Sequence, residues 1–139
     1  MSAIWKTVRA IFTGIFGTLG VLLGGLDGLL LALCVFMVID VITGVSRAVV
    51  EKTLSSRIMF LGLLRKLLVF CLVIVGHVVD LYVIRTGDGV RSMIIAFYIA
   101  NDGLSILENS VALGLPVPEK LRAILAQLRE KGNETEEKK

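Results

Sequence analysis

A chain of 139 residues has room for one domain. Hydrophobic residues make up 55% of it and mean hydropathy is +0.85, which excludes an ordinary soluble domain even though 19% is charged. A net charge of +3 is too small to point to nucleic acid, and two cysteines far apart supply neither a disulfide framework nor a metal-ligand spacing. In chain order, residues 3–23 have helical periodicity, with Ile4, Trp5, Val8, Ile11, Phe12, Ile15, Phe16 and Leu19 on one face. Gly14, Gly17, Gly20 and Gly24 form a second stripe of small residues, of the kind that lets membrane helices approach closely. This segment reads as an amphipathic helix in the membrane interface, with a short fourth span as the alternative.

Residues 24–28 are a break rich in turn formers, and three spans follow it, over about 29–49, 59–84 and 91–115. The polar loop near 51–57 separates the first two spans, and the turn at 86–89 separates the second from the third. Pro116 and Pro118 stop the third span. A short amphipathic helix then carries Leu121, Ile124, Leu125 and Leu128 on one face and ends near Lys131 and Gly132. The division is therefore 1–25 for the glycine-striped helix, 26–116 for the transmembrane core, 117–132 for the C-terminal helix and 133–139 for a disordered charged tail. The expected fold is all-α and membrane-integral. Cys34 and Cys71 lie in apolar runs and read as packing residues.

The informative residues are the ionisable ones inside the spans. Asp40, Asp80, Asp102 and Glu108 are each costly there, roughly 2.5–3.5 kcal/mol near the bilayer centre, so they are expected to face other helices or water. Asn101, Ser105, Glu108, Asn109 and Ala112 recur at helical spacing as a polar stripe on the third span, with Asp102 on its flank. About ten apolar residues contribute roughly −5 kcal/mol to inserting that span, and its two acids cost about +6. Alone in lipid it is marginal. Lys66 is one candidate ion-pair partner for Asp40 or Glu108, within a protomer or between protomers, while His77 and Asp80 lie one turn apart near the level of Arg85. Arg47, Lys52, Arg57, Arg65 and Lys66 cluster around the first loop, which the positive-inside rule places in the cytoplasm together with the C-terminal helix.

One histidine and no clustered ligands leave no nucleophile–base, metal or cofactor constellation, so an enzyme is not expected. The absence of an internal repeat argues against a secondary transporter. Two readings remain from the residues: an oligomeric pore lined by polar helix faces, and a non-pore structural or regulatory membrane protein whose polar groups satisfy one another.

Certain motifs go further. Asp40-Val41-Ile42-Thr43-Gly44, then Ser55-Ser56 with Gly62 and Lys66, lead to the string Asn101-Asp102-Gly103-Leu104-Ser105-Ile106-Leu107-Glu108-Asn109. Gly114-Leu115-Pro116-Val117-Pro118 and Leu121, Leu125 and Leu128 follow. Over residues 24–128 the chain resembles the phage lysis and toxin-secretion holins of low-GC Gram-positive bacteria and their phages. Asp102 stands where that family's glutamate is expected, keeping the acid and shortening it. The resemblance implies a multi-pass homo-oligomer in the bacterial plasma membrane. Its lesions in the lipid bilayer would release an endolysin or a large toxin as cargo, with no specific binding of that cargo implied.

Overall fold

The computed structural model describes residues 2–137. Five α-helices follow one another: α1 (Ser2–Leu22), α2 (Gly28–Val50), α3 (Ser56–Val79), α4 (Gly89–Ala112) and α5 (Glu119–Glu137). A π-helical turn, Asp80–Ile84, extends α3. Three helical stretches, α2, α3 with its π turn, and α4, are long and apolar enough to cross a membrane. The expected all-helical, three-span architecture is what the structure has. The shorter and less uniformly apolar α1 is not among the spans.

Local chemistry sets the boundaries. Gly24 and Gly25, at φ 84° and 97°, end α1 in the left-handed region that glycine adopts without strain. Asp27 then caps α2, its carboxylate accepting from the Leu30 N–H at 2.9 Å. Arg85 adopts φ 59° after the π turn, and its N–H donates to the Asp80 carbonyl at 2.8 Å. At the far end of α4 the Leu115 N–H reaches back to the Ser110 carbonyl at 2.9 Å around Gly114, and the two prolines follow.

α4 is the hub. It packs along α2 and α3 on one side and against α5 on another, whereas α2 and α3 scarcely touch each other. Leu30, Leu33 and Met37 of α2, Val69 and Val73 of α3, and Ile95 of α4 form the main core. Gly76 permits a close approach of α3 to α4, since a Cβ there would lie 3.1 Å from the Arg91 Cα. A second cluster joins Leu104 and Leu107 of α4 to Leu125 of α5. The outward faces of α2 and α3 expose Leu31, Val38, Ile42, Phe60, Leu67 and Val75, an arrangement suited to lipid and not to water.

Two expectations change here. α5 runs to Glu137, so residues 133–137 of the expected disordered tail are helical, and residues 138–139 lie outside the described residues. A single glycine, Gly132, costs a helix only about 1 kcal/mol relative to alanine and does not end this one. Cys71 is exposed on α3 and Cys34 is half-buried, so Cys71 is not the packing residue that its apolar run suggests.

Candidate functional site

Asp40 and Asp102 each lie near the middle of their helix, and Lys66 of α3 reaches both. Its Nζ is 2.8 Å from Asp40 Oδ2 and 3.1 Å from each carboxylate oxygen of Asp102. Asp102 is buried, while Asp40 and Lys66 are partly so. Three spans are thus tied at mid-length by one cation between two carboxylates. Pairing offsets the desolvation that each charge would otherwise suffer in the bilayer interior. A polar seam continues between α2 and α4 toward the 51–55 loop, where Asn109 Nδ2 donates to Thr43 Oγ1 at 3.3 Å. Thr43 Oγ1 in turn donates to the Asp40 carbonyl at 3.1 Å.

Of the two partners expected for Lys66, Asp40 is the one that it meets within the protomer. Glu108 is exposed, and Asp102 takes the place assigned to it. The reason is angular. Asn101, Glu108 and Ala112 share the centre of the polar stripe and are all exposed, whereas Asp102 and Asn109, at its edge, face the bundle. Ser105 lies between, half-buried. Leu104 and Leu107, on the opposite flank, meet α5.

A second polar cluster closes the α4 N-terminal end of the bundle, and most of it is not anticipated by the sequence. Asp80 does not pair with His77 or Arg85. Its two carboxylate oxygens accept from the backbone N–H groups of Val90 and Arg91, at 3.0 and 2.8 Å, capping α4 from another element. The Asp88 side chain makes no such bond. Arg91 is only 1% exposed. Its guanidinium donates to both Asp27 oxygens, at 2.7 and 3.2 Å, to the Gly25 carbonyl at 3.1 Å, and to the Leu23 carbonyl. Asp27 standing directly before an apolar run is a cap signature that the sequence does display. His77 packs beside Gly24 and Arg91, its buried Nδ1 without a hydrogen-bond partner in the structure.

Asp27 precedes the first span, and the hydrogen bond from Arg91, followed by that from the Leu30 N–H, holds its carboxyl below the usual carboxylate value. A depressed folded value means that the latch is fully present above about pH 4 and is lost as pH falls through the folded value. Trp5, the sole tryptophan, reports on α1. Trp5 fluorescence anisotropy in detergent should fall on acidification below about pH 4 in the parent chain. Asp27→Asn should remove most of that pH dependence, and an identical acid transition in the variant would assign it to another carboxylate.

The glycine stripe of α1 is mostly unused within the protomer. Nothing lies within 4 Å of a Cβ built at Gly14 or Gly17, and Gly20 meets only Leu26. Gly24 is confined by Arg91 and His77. Among the described residues no group of histidine, cysteine or acidic side chains has the arrangement of a metal site.

Helices of this length and polarity, joined by charges at mid-span, define an integral membrane protein. Residues 17–130 match the bacteriophage holin family. The chain belongs to that family. It is 38% identical over 125 residues to an uncharacterised 14.9 kDa protein of Clostridium perfringens, covering 90% of this chain and 89% of that protein. An uncharacterised protein of Listeria monocytogenes is 38% identical over 124 residues, 88% of each chain. A protein of Bacillus phage phi105 described as a probable holin is 44% identical over 85 residues, 60% of this chain and 62% of that one. No solved structure matches the chain.

Proposed function

We propose that this protein is a working holin, oligomerising in the bacterial plasma membrane into lesions that release an endolysin or a large toxin. The observation that carries the proposal is the exposed polar face of α4, Asn101 with Glu108, on a helix otherwise suited to cross the membrane. The protomer supplies no cover for that face. In a bilayer a second copy or a water-filled lumen would satisfy it at lower cost than lipid. Arg47, Lys52 and Arg57 favour a cytoplasmic 51–57 loop, which puts α5 on the same side and the Arg85–Gly89 turn outside. α1, exposed from Ile4 to Leu19, lies in the interface in this reading, with Gly14 and Gly17 open to a neighbouring helix.

The packed Lys66 cluster favours a second reading, a non-pore structural or regulatory membrane protein whose polar groups are internally satisfied. Induction in a bacterial host separates the two. A holin should arrest growth and collapse the membrane potential after a delay, whereas unchanged growth at high membrane-inserted levels would support the second reading. Glu108→Leu and Asn101→Leu should each improve insertion of α4, by about 3 kcal/mol for the acid on the translocon scale, while impairing lesion formation. Normal lysis timing in both variants would mean that this face has no part in the lesion.

A further inference from the structure

Arg65 of α3 and Glu108 of α4 are both exposed, on helices long and apolar enough to cross a membrane. Among the described residues neither side chain has an ion-pair partner. Arg65 lies about 10 Å along α3 from Ile58, past the exposed Phe60, Leu61, Leu63 and Leu64. A guanidinium left in lipid at that level is costly. Both charges flank one groove. Arg65, Leu68 and Leu72 of α3 line it with Tyr98 and Asn101 of α4, and its volume is about 550 Å³. Glu108 stands two turns from Asn101 on the same face of α4. The Lys66–Asp102 contact sets a common level for the two helices. Arg65 is one residue, and Glu108 six, nearer the 51–55 loop end, an offset of about 8 Å. Side chains slant toward the N-terminus of their own helix. On these antiparallel helices Arg65 therefore leans toward the loop end and Glu108 away from it, which narrows the offset.

Within the protomer the two charges stay apart, on opposite edges of the groove. A half-turn about the membrane normal relates a second copy to the first, keeps every depth and exchanges the two edges. Arg65 of each copy then faces Glu108 of the other, the reciprocal pattern of a two-fold contact. We propose that the α3–α4 groove is a self-complementary contact between two copies of this chain, closed by two Arg65–Glu108 pairs. Charge complementarity at matched depth selects this occupant. Lipid would suit Leu68 and Leu72, which are 55% and 43% exposed, and would strand the charges. A water-filled lumen would suit the charges and leave the leucines wet. A second copy satisfies both. The contact deepens the reading of the α4 face above, because it names what covers Glu108. It rests on assembly in the membrane and not on lesion formation.

Charge reversal in separate chains tests this. Full chains carrying two different affinity tags would be co-expressed and solubilised in mild detergent. Capture on one tag, with the second tag quantified, measures association. Arg65→Glu and Glu108→Arg should each reduce self-association about tenfold, since each places like charges against each other. Co-expressed with one another, the two variants should associate within about twofold of the parent. In that mixture one chain is acidic at both positions and the other basic at both, so only contact between chains can restore the pairs. One chain carrying both reversals should also self-associate like the parent, which keeps the test decisive if a single variant folds poorly. Undiminished self-association of both single variants would overturn the proposal. So would a mixture no better than either variant alone, or a parent chain that does not associate. Growth and membrane potential after induction test the lesion reading separately. A chain that associates through these charges yet leaves growth unchanged refutes that reading alone, and a lytic chain that associates without them refutes this contact alone.

Discussion

Lys66→Met should destabilise the folded chain by about 3–5 kcal/mol, the effect of breaking a buried charge cluster by removing one partner. The substitution keeps a long apolar stem and removes only the ammonium. Asp40 and Asp102 would then share the centre of the bundle with no cation between them, and α3 would lose its tie to both neighbours at that level. The same cluster makes the reverse changes mild. Two carboxyl groups share one lysine there. Asp40→Asn leaves Lys66 paired with Asp102 in a balanced contact, so a cost of about 1 kcal/mol or less is expected, the size of one lost net hydrogen bond. Unfolding by titration from mild detergent into SDS, followed by far-ultraviolet circular dichroism, measures both. Lys66→Met combined with Asp40→Asn and Asp102→Asn should recover much of the loss. If the single lysine variant unfolds with the parent, the cluster is solvated and does not hold the spans together.

The spans and their ends were legible because they rest on local rules. Uninterrupted apolar length marks a crossing helix, and Asp27, the glycine pair and Pro116 with Pro118 act on their own backbone. Lys66 and Asp40 were legible by depth, since the antiparallel hairpin brings similar heights together. Asp102 was not, because depth does not give rotation. The stripe of Asn101, Ser105 and Glu108 marks a polar direction on α4, and only the packing of a third helix decides whether its centre or its edge meets the bundle. Arg91, a basic residue just after the turn at 86–89, gives no local sign of its partners. Its buried bonds reach Leu23, Gly25 and Asp27, more than sixty positions earlier, and no spacing within α4 reveals them. Asp80 shows the same limit, since a residue can cap a helix from another element with no local sequence signature.

Removing everything after Pro118 should leave insertion intact and advance lesion timing, because α5 covers a face of α4 and does not complete the core around Leu33 and Val73. Leu125 is the anchor, buried against Leu104 and Leu107, with its Cδ1 2.9 Å from a Cβ built at Gly103. Leu125→Ala should therefore release α5 at a cost of about 2–5 kcal/mol and reproduce the truncation. Two demands on α4 conflict while α5 is docked. Gly103 lies about 13 Å from the end of α4, so α5 runs beside the C-terminal half of a helix that, in the proposed reading, has to cross the membrane. Lys120, Arg129 and Glu130 on its exposed side would each cost roughly 2.5–3.5 kcal/mol near the bilayer centre. Without that half, residues 89–102 span only about 21 Å, too little for a hydrocarbon core of about 30 Å. Undocking α5 would let α4 insert along its whole length and would remove one of the two side chains that cover Gly103, Phe36 of α2 being the other. Lysis timing and cross-linked oligomer yield, compared for the parent, Leu125→Ala and the truncation, test this, with carbonate extraction as the control for insertion. Loss of insertion in the truncated chain would instead make α5 part of the folding core.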